Sequence, residues 1–514
     1  MPNPPLDRLI GRLLMADFAG TSMTPQIRDL ITAHALGGVT LFQKNVEHSA
    51  QVAALCRDLQ QAAAAAGLPP LLVAIDQEGG SVERLPLGMP GAMALGATRS
   101  AALAERAGAL TGRALSAAGV TVNFAPVLDV NTNPANPVIG TRSFGEDPAL
   151  VGALGRAYVR GLQRQGLLAT AKHFPGHGDT EVDSHLDLPV VPHARERLEA
   201  VEFAPFREVS GEVAAIMTAH VAVATMGMTP ATLSPALLEG ILRREWGFGG
   251  IIFTDSLAMA AIADHVGAGR AAVLALLAGA DVLLALGGES ILGEVFTALR
   301  RAVAEEILSV ERLEQSVRRI ERVRAAMAPP VGSDPSLRGA TGSELQQLAR
   351  EVASTAVTLV RNETGAVPLR GGRVHIITVR PRDATAPTLG SALRGCRPDV
   401  AEIVLDPAGR EQVEVSPDEP TVLVTHSRGR PDPLQTELVR RVHRDAGNRL
   451  IVVATGTPYD LAAFPEVPSY VATYGREPVM LEAAARLLAG ASAPRGRLPV
   501  SIPGCHPGGW GVVW

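Results

Sequence analysis

The segment 172–188, KHFPGHGDTEVDSHLDL, is the most unusual in the sequence, since it contains three histidines and three aspartates. Its proline and two glycines exclude a regular helix. Within it, Asp183-Ser184-His185 places a carboxylate two residues from an imidazole. An aspartate bonded to one ring nitrogen fixes the tautomer of a histidine and makes the other nitrogen more basic. Such a pair can donate a proton and then accept one near neutral pH, so we interpret the segment as a flexible loop that carries an acid–base group over a polar substrate.

The same segment offers potential metal ligands, and a metal site is the alternative interpretation. The candidate ligands are His173, His177, Asp179, Asp183 and His185. Pro175 lies between the first two histidines and breaks the helical geometry that would place them on one face. We therefore favour the acid–base interpretation and predict neither a metal ion nor a cofactor.

Ionisable residues also follow four of the predicted strands. They are Asp76-Gln77-Glu78 with Arg84, Lys172-His173, His220 and Asp255. A single aspartate in such a place could simply cap the next helix. Four strand ends of this kind indicate a functional edge, because the active sites of α/β barrels lie at the carboxyl ends of their strands.

The signals of other enzyme classes are missing. No G-x-S-x-G turn occurs at a strand end, and Ser184 is placed between its supposed partners, which argues against a serine hydrolase. Neither a G-x-x-x-x-G-K-[ST] loop nor a G-x-G-x-x-G turn after a strand is present, so nucleotide binding lacks its usual signal.

The elements that position these residues alternate regularly over the first part of the chain. Short runs rich in Val, Ile and Leu occur at 15–19, 39–42, 71–76, 122–127, 169–174, 214–219, 251–255 and 281–286. Longer helical patterns, such as 102–118 and 197–209, lie between them. Continuous apolar strands separated by helices indicate a parallel sheet covered on both faces, and about eight such units predict a (β/α)8-type, TIM-like barrel. An open doubly wound sheet remains the alternative, because periodicity cannot show closure.

A second domain is predicted after a charged helix at 310–326. The segment 328–344 is rich in Pro, Gly and Ser and has no apolar period, so we interpret it as a linker. Further strands are predicted at 356–360, 374–379, 422–426, 450–454 and 470–474, with helices at 434–445 and 479–488. The predicted organisation is a barrel domain at 1–327, the linker at 328–344 and a smaller α/β sandwich domain at 345–514.

Composition limits the partners and the location. The 514 residues include 47 Lys and Arg against 52 Asp and Glu, a net charge of −5 that offers no basic surface for nucleic acid. The three cysteines are widely spaced and suggest no disulfide framework. Charged residues interrupt the first apolar stretch, and the later one at 271–286 is too short to span a bilayer, so a cytoplasmic protein without a membrane partner is expected. The oligomeric state is not predicted.

Several motifs resemble the family 3 glycoside hydrolases, and within them the bacterial β-N-acetylglucosaminidases. They are DQEGG at 76–80, KHFPGHGDTEVDSH at 172–185, MTAHV at 217–221, PATLS at 230–234 and FTDSLAM at 253–259. In the second domain, VTLVRNE at 357–363 and GRLPVSIP at 496–503 continue the resemblance. The motifs span the chain in order. The glycine pair of DQEGG is followed by Ser81 where many relatives carry Arg, so we make no prediction about the subsite there.

The resemblance implies a retaining mechanism in which Asp255 is the nucleophile. His185 would be the acid–base group and Asp183 would orient it and stabilise its charge. The positions that match the sugar-binding residues of the family are Asp76, Arg84, Arg142, Lys172 and His173. His220 and Asp129 match no assigned role and are expected to support the site from behind.

The function implied is an exo-acting β-N-acetylglucosaminidase that binds a small carbohydrate and releases terminal GlcNAc, with peptidoglycan fragments as the source. The DSH triplet favours this branch over the β-glucosidases of the family, whose acid–base comes from another segment, and it leaves the second domain without a direct catalytic role. A phosphorylase is one alternative, because a histidine repels an approaching phosphate less than a carboxylate does. Another family 3 β-glycosidase and a non-catalytic sugar-binding protein are the others.

Overall fold

The first domain is a closed barrel of eight parallel strands in the computed structural model, which describes residues 5–326, 335–380, 385–406, 413, 415–416 and 418–514. The strands are β1 Leu14–Ala16, β2 Gly38–Leu41, β3 Leu72–Ile75, β4 Val122–Asn123, β5 Leu168–Phe174, β6 Ala215–Thr218, β7 Ile251–Ser256 and β8 Val282–Leu284. Each strand pairs with its neighbours in chain order, and β8 closes the barrel on β1. The predicted TIM-like barrel is therefore confirmed, and the open sheet is excluded.

The barrel strands are buried on both faces, and this explains their continuous apolar runs. Every residue of β2, β3, β5 and β6 is buried. A strand covered by helices outside and by side chains inside cannot alternate polar and apolar residues. Short strands suffice because closure leaves no unpaired edge.

Helices surround the barrel and follow its strands. The helices of the first domain are Pro5–Gly11, Pro25–His34, Ser49–Ala65, Ala92–Thr98, Ala101–Ala117, Pro148–Gln163, Arg195–Ala200, Ala204–Val209, Ala260–Ala263, Ala268–Ala278, Glu289–Ala304 and Val310–Ala326, with a π-helix at Ala236–Glu245. Two of these helices begin at an N-cap side chain. Ser100 accepts the backbone N–H of Leu103. Asp147 accepts the backbone N–H of Ala149, and Pro148 occupies the first position of that helix.

One predicted helix is in fact two. The pattern at 197–209 predicts a single helix, but the structure has Arg195–Ala200 and Ala204–Val209. Pro205 has no N–H to donate, and its ring would collide with the carbonyl of Val201 in a continuous helix. The apolar spacing continues across the break because both pieces bury apolar side chains, Leu198 in the first and Phe206 and Val209 in the second. In the described ranges, no helix is both long and apolar enough to cross a membrane.

The second domain contains a six-stranded sheet. Its strands are β9 Thr358–Asn362, β10 Val374–Val379, β11 Val400–Leu405, β12 Thr421–Thr425, β13 Leu450–Ala454 and β14 Ser469–Ala472, in the order β9-β14-β13-β12-β10-β11. All neighbours are parallel except β9, which is antiparallel to β14. Its helices are Pro335–Ala356, Leu389–Arg394, Pro433–Ala446 and Pro478–Leu488. The predicted α/β fold is confirmed, and β11 is an edge strand that the sequence patterns did not indicate.

Part of the predicted linker is helical. Residues 327–334 lie outside the described residues, and the helix Pro335–Ala356 includes the rest of the segment 328–344. The predicted domain boundaries remain predictions.

The two domains meet along the chain segment that follows β4. Asn131 donates to the hydroxyl of Tyr459 at 2.7 Å, and the N–H of Glu146 donates to the carbonyl of Pro499 at 3.1 Å. A Cβ on Gly140 would lie 2.6 Å from the carbonyl oxygen of Arg428. Backbone of the second domain therefore supports the segment that leads to Arg142.

A buried aspartate ties three elements together at the start of β8. Asp281 is fully buried; it accepts hydrogen bonds from Arg243 at 2.5 Å and from the N–H of Ile252 at 3.0 Å. The hydroxyl of Ser316 donates to it at 2.9 Å, and Arg319 is a further ion-pair partner. This is why a charge interrupts the apolar run at 281–286.

We expect Asp281→Ala to lower the free energy of unfolding by about 3–5 kcal/mol, because it leaves buried guanidinium groups without their counter-charge. Urea unfolding followed by circular dichroism measures the change. The control is Glu305→Ala, which removes the exposed partner of Arg301 and should cost less than about 1 kcal/mol. Equal effects of the two substitutions would contradict the assigned role of Asp281.

Candidate active site

A cavity of about 950 Å³ opens at the carboxyl ends of the barrel strands. Most of the predicted site residues lie in its wall, namely Asp76, Arg84, Arg142, Lys172, His173, His185 and Asp255. Asp183 is not part of the wall but contacts His185. Among the described residues, those that line the cavity all come from the first domain.

A network of buried ion pairs forms one side of the cavity. Lys172 lies 2.7 Å from both Asp76 and Glu78. Arg142 donates two hydrogen bonds to Glu78, at 2.9 and 2.8 Å. Burial alone would lower the pKa of Lys172, but the two carboxylates outweigh it and raise the pKa. Burial likewise favours a neutral Glu78, yet Arg142 and Lys172 hold its pKa well below the usual range. Lys172, Glu78 and Arg142 therefore stay charged.

His173 links this network to a fully buried aspartate. Its Nδ1 lies 2.7 Å from Asp129 Oδ2, and its Nε2 lies 3.3 Å from Arg142 Nη2. Because a guanidinium can only donate, Nε2 accepts and the ring proton is on Nδ1. Burial would raise the pKa of Asp129, but His173 and His177 outweigh it and lower the pKa. Asp129 thus supports the site by orienting the imidazole of His173 in the cavity wall.

His177 fastens the loop that follows β5. Its backbone N–H donates to Asp129 at 2.7 Å, and its ring nitrogens lie 2.6 Å from the hydroxyl of Thr180 and 3.0 Å from that of Ser184. Burial lowers the pKa of His177 to about 4, so the ring is neutral at pH 7. The ring holds Ser184 in place, and with it the two residues on either side.

The predicted contact between Asp183 and His185 is present, and both side chains reach solvent. Nδ1 of His185 lies 2.8 Å from Asp183 Oδ1, which also accepts the backbone N–H of His185 at 2.9 Å. The His185 side chain is 62% exposed and that of Asp183 is 25% exposed. Burial tends to raise the pKa of Asp183, but the N–H and the imidazole of His185 outweigh it and lower the pKa. Asp183 thus engages the Nδ1 side of the ring, and His185 itself lies in the cavity wall.

Asp255 stands at the end of β7 in the same cavity. Burial would raise its pKa, but His220, His173, the N–H of Ser256 and Lys172 outweigh it and lower the pKa. The Ser256 N–H donates to Asp255 Oδ1 at 2.7 Å. Asp255 is therefore an anion with a defined orientation.

His220 holds the backbone beside Asp255. Its Nε2 lies 2.8 Å from the Ser256 carbonyl and its Nδ1 lies 2.8 Å from the hydroxyl of Thr232. A carbonyl only accepts, so Nε2 carries the proton. Burial lowers the pKa of His220, so the ring is neutral while it fixes the end of β7.

Two contributors were not among the predicted site residues. Glu78 lies in the motif at 76–80, two residues after Asp76. This position at the end of a strand was the sequence feature that could have identified it as a site residue. Asp17 follows β1 directly, lines the cavity, and accepts the N–H groups of Gly287 and Gly288 at 2.7 and 3.0 Å as well as Lys44 at 2.5 Å. The rule that located Asp76 and Asp255, an acid at the end of a strand, also applies to it.

The five candidate metal ligands of the loop do not gather around one point, and two of them, Asp183 and His185, contact each other. His173, His177 and His185 each have a different partner, as described above. Within the described ranges, only Asp179 belongs to a group of three possible ligands, and the other two, His193 and Glu202, lie outside the set that the sequence suggested.

The arrangement places an oriented carboxylate, an imidazole–carboxylate pair and a set of paired cations around one cavity. The carboxylate can form a covalent bond to an electrophilic carbon, and the imidazole can transfer protons. Charged groups that are already held in place can bind several hydroxyls at once. This chemistry suits a polyhydroxylated substrate with an acid-labile bond.

Comparison with known proteins gives a consistent family. The model for the glycosyl hydrolase family 3 N terminal domain matches residues 5–323, and that for the family 3 C-terminal domain matches 399–506. A β-hexosaminidase A of Pseudoalteromonas piscicida is 34% identical over 417 residues, which cover 72% of this chain and 70% of that protein. A β-hexosaminidase of Pseudomonas aeruginosa strain UCBPP-PA14 is 38% identical over 293 residues, covering 56% of this chain and 86% of the other.

A solved structure is similar over nearly the whole length. The family 3 β-N-acetylglucosaminidase of Paenibacillus sp. str. FPU-7 superposes with a TM-score of 0.88 at 37% identity, and the match covers 97% of this chain and 99% of that one. Both domains and their arrangement are therefore shared.

The buried ring of His177 should make stability depend on pH. Between about pH 6.5 and pH 4 the unfolded chain binds a proton at this residue while the folded chain does not, so folding stability falls as the pH falls. The contribution over this range is about 3 kcal/mol. We expect the stability difference between the parent and His177→Gln, measured by urea unfolding, to shrink as the pH is lowered from 7 to 4.

The control is His443→Gln, in the last turn of the helix Pro433–Ala446. A parent–His177→Gln difference that stays constant from pH 7 to pH 4 would show that the His177 ring is not held neutral.

Proposed function

Because this chain belongs to glycosyl hydrolase family 3 and is thus a glycoside hydrolase, we propose that it is a retaining exo-β-N-acetylglucosaminidase. The single observation that carries this proposal is that one cavity is lined by both His185, whose ring contacts Asp183, and the anionic Asp255. The β-N-acetylglucosaminidase of Paenibacillus and the β-hexosaminidases named above support the choice of sugar.

In the first proposed step, Asp255 attacks the anomeric carbon of the terminal sugar. The bond between this carbon and the leaving oxygen breaks while a bond to Asp255 Oδ forms. His185 gives the proton on its Nε2 to the leaving oxygen, and Asp183 stabilises the proton that remains on Nδ1. The products are the free aglycone and a glycosyl ester of Asp255.

In the second step, water attacks the anomeric carbon from the side that the aglycone left. The now neutral His185 accepts a proton from that water through Nε2, the ester bond breaks, and Asp255 returns as a carboxylate. Two inversions give net retention of the β configuration. A histidine replaces the usual second carboxylate, so no second negative charge faces Asp255 from the acid–base side.

The network of buried ion pairs is proposed to hold the sugar. Asp76, Lys172 and Arg142 are already oriented by one another, so their remaining donors and acceptors can meet sugar hydroxyls at little entropic cost. Nε of Arg84, also in the cavity wall, makes no hydrogen bond within the protein. Hydrogen bonds from charged groups contribute about 1.5–3 kcal/mol each. A few of them can therefore replace stacking of the sugar on aromatic rings, which are scarce in this sequence.

The natural substrate is proposed to be a peptidoglycan fragment that ends in GlcNAc. We expect a higher kcat/KM for GlcNAc-MurNAc than for chitobiose when both are followed by release of free GlcNAc. A preference for chitobiose would argue against this source while leaving the hydrolase assignment intact.

Carrying out the reactions with added phosphate tests the phosphorylase alternative, which predicts a sugar 1-phosphate product.

The nucleophile assignment predicts that Asp255→Asn lowers kcat for 4-nitrophenyl N-acetyl-β-glucosaminide by at least about a thousandfold, a loss of about 4 kcal/mol in transition-state stabilisation. Proton NMR of the parent reaction should show the β anomer of GlcNAc first. Initial formation of the α anomer, or a fully active Asp255→Asn variant, would refute the retaining mechanism.

The acid–base assignment predicts that His185→Ala depends on the leaving group. The kcat/KM for chitobiose should fall by about 10²–10⁴, whereas that for the nitrophenyl glycoside should fall much less, because nitrophenolate leaves without protonation. The two substrates are compared by kcat/KM because this ratio reports only the step that forms the glycosyl ester of Asp255, in which the leaving group departs. His443→Ala, in the second domain, is the control for loss of a histidine. A uniform decrease for both substrates would mean that His185 is not the acid.

A further inference from the structure

We propose that Asp179, His193 and Glu202 form a binding site for a divalent transition-metal ion, with zinc as the best fit. One ligand atom from each side chain, a carboxylate oxygen or an imidazole nitrogen, lies within 4.8 Å of the other two. None of the three lines the cavity described above. The site therefore lies outside the proposed catalytic machinery.

The environment of the Glu202 carboxylate is the observation that points to a bound cation. The residue is 2% exposed, and neither oxygen of its carboxylate makes a hydrogen bond. Its nearest charged partner is Arg197, whose Nη2 lies 3.2 Å from Oε1. Oε2 has no hydrogen-bond partner among the described residues. Buried carboxylates are normally paired or bind a metal, because an unsatisfied one is costly.

The other two ligands already face each other. Asp179 Oδ2 contacts His193 Nε2, while Oδ1 accepts a hydrogen bond from Thr132 at 2.6 Å, which fixes the carboxylate. Such a support behind a ligand is common at metal sites. Zinc binds imidazole nitrogen and carboxylate oxygen at about 2.0–2.2 Å, so modest rotations of the three side chains would close the site around the ion.

The ligand set selects the kind of metal. An imidazole nitrogen with two carboxylates suits zinc and its neighbours in the first transition row. Magnesium and calcium prefer oxygen ligands alone. The three protein ligands leave a fourth position for water.

The site lies at the base of the loop that carries the acid–base pair. Asp179 precedes Asp183 by four residues, and His193 follows the loop. Glu202 lies against the start of the loop, since a Cβ on Gly176 would be 3.0 Å from its Cβ. A metal ion would thus join both ends of the loop to the helical segment behind it.

Arg197 is the competitor for the same carboxylate. Its side chain is 32% exposed, so the guanidinium can turn toward solvent when a metal ion binds. Removing this cation should strengthen metal binding. Arg197→Gln is therefore expected to lower the Kd for zinc, which is a direction that a general loss of stability would not produce.

The test is isothermal titration of the untagged full chain with ZnCl₂, together with the thermal midpoint in the presence and absence of zinc. We expect one zinc ion per chain, a raised midpoint, and no comparable effect of MgCl₂. Glu202→Gln should weaken zinc binding at least tenfold. Glu477→Gln, which alters a half-buried carboxyl whose Oε2 is also buried without a hydrogen bond among the described residues, is the control and should bind zinc as the parent does.

His185→Ala separates this site from the proposed acid–base pair, which could also bind zinc. It should retain zinc affinity, and the result does not depend on whether the hydrolase proposal holds. Absence of zinc binding by the parent would overturn the inference. So would loss of binding in His185→Ala together with retention in Glu202→Gln. His193→Asn provides a second ligand variant if Glu202→Gln fails to fold, and its failure to weaken binding would equally overturn the proposal.

Discussion

The pairing of Lys172 with Asp76 and Glu78 is the constraint on which the cavity depends. A buried ammonium is costly unless carboxylates surround it, and these two carboxylates come from the turn that follows β3 while the lysine comes from β5. Arg142, from a third segment, shares Glu78. The barrel mouth can bury these charges only if all three segments converge, so one ion network fixes their relative positions.

The same network forms a buried, hydrogen-bonded side of the cavity, whereas His185 lies on an exposed side. Through Arg142 it reaches His173 and Asp129, and Asp129 in turn receives the N–H of His177 at the root of the loop. Gly178 continues this close packing, since a Cβ there would lie 2.0 Å from the carbonyl oxygen of Val130. A few residues farther on, His185 is largely exposed. The carboxylate of Asp255 is thus held by the barrel, whereas the proposed proton donor is carried on a loop that is anchored at its base.

The second domain contributes support from behind the cavity. Its backbone and Tyr459 contact the segment between Asn131 and Glu146, which includes Arg142. A long loop after a strand as short as β4 has little sheet to hold it, so packing against a second core is a physical reason for a two-domain chain. This agrees with the absence of second-domain residues among the described residues that line the cavity.

The sequence by itself determined the local features. The eight apolar runs predicted the eight barrel strands because a strand that is buried on both faces must be apolar throughout, and the strand-end acids followed from the geometry of parallel sheets. The Asp183–His185 pair was also readable, since both groups lie within three residues. The tertiary structure alone decided which distant groups became partners: Glu78 with Arg142, Asp129 with His173, and Asp179 with His193. It also decided closure of the barrel and the edge strand β11. The reason is that periodicity reports only which face of an element is buried, while pairing between charges depends on the register and shear that bring separate segments together in space.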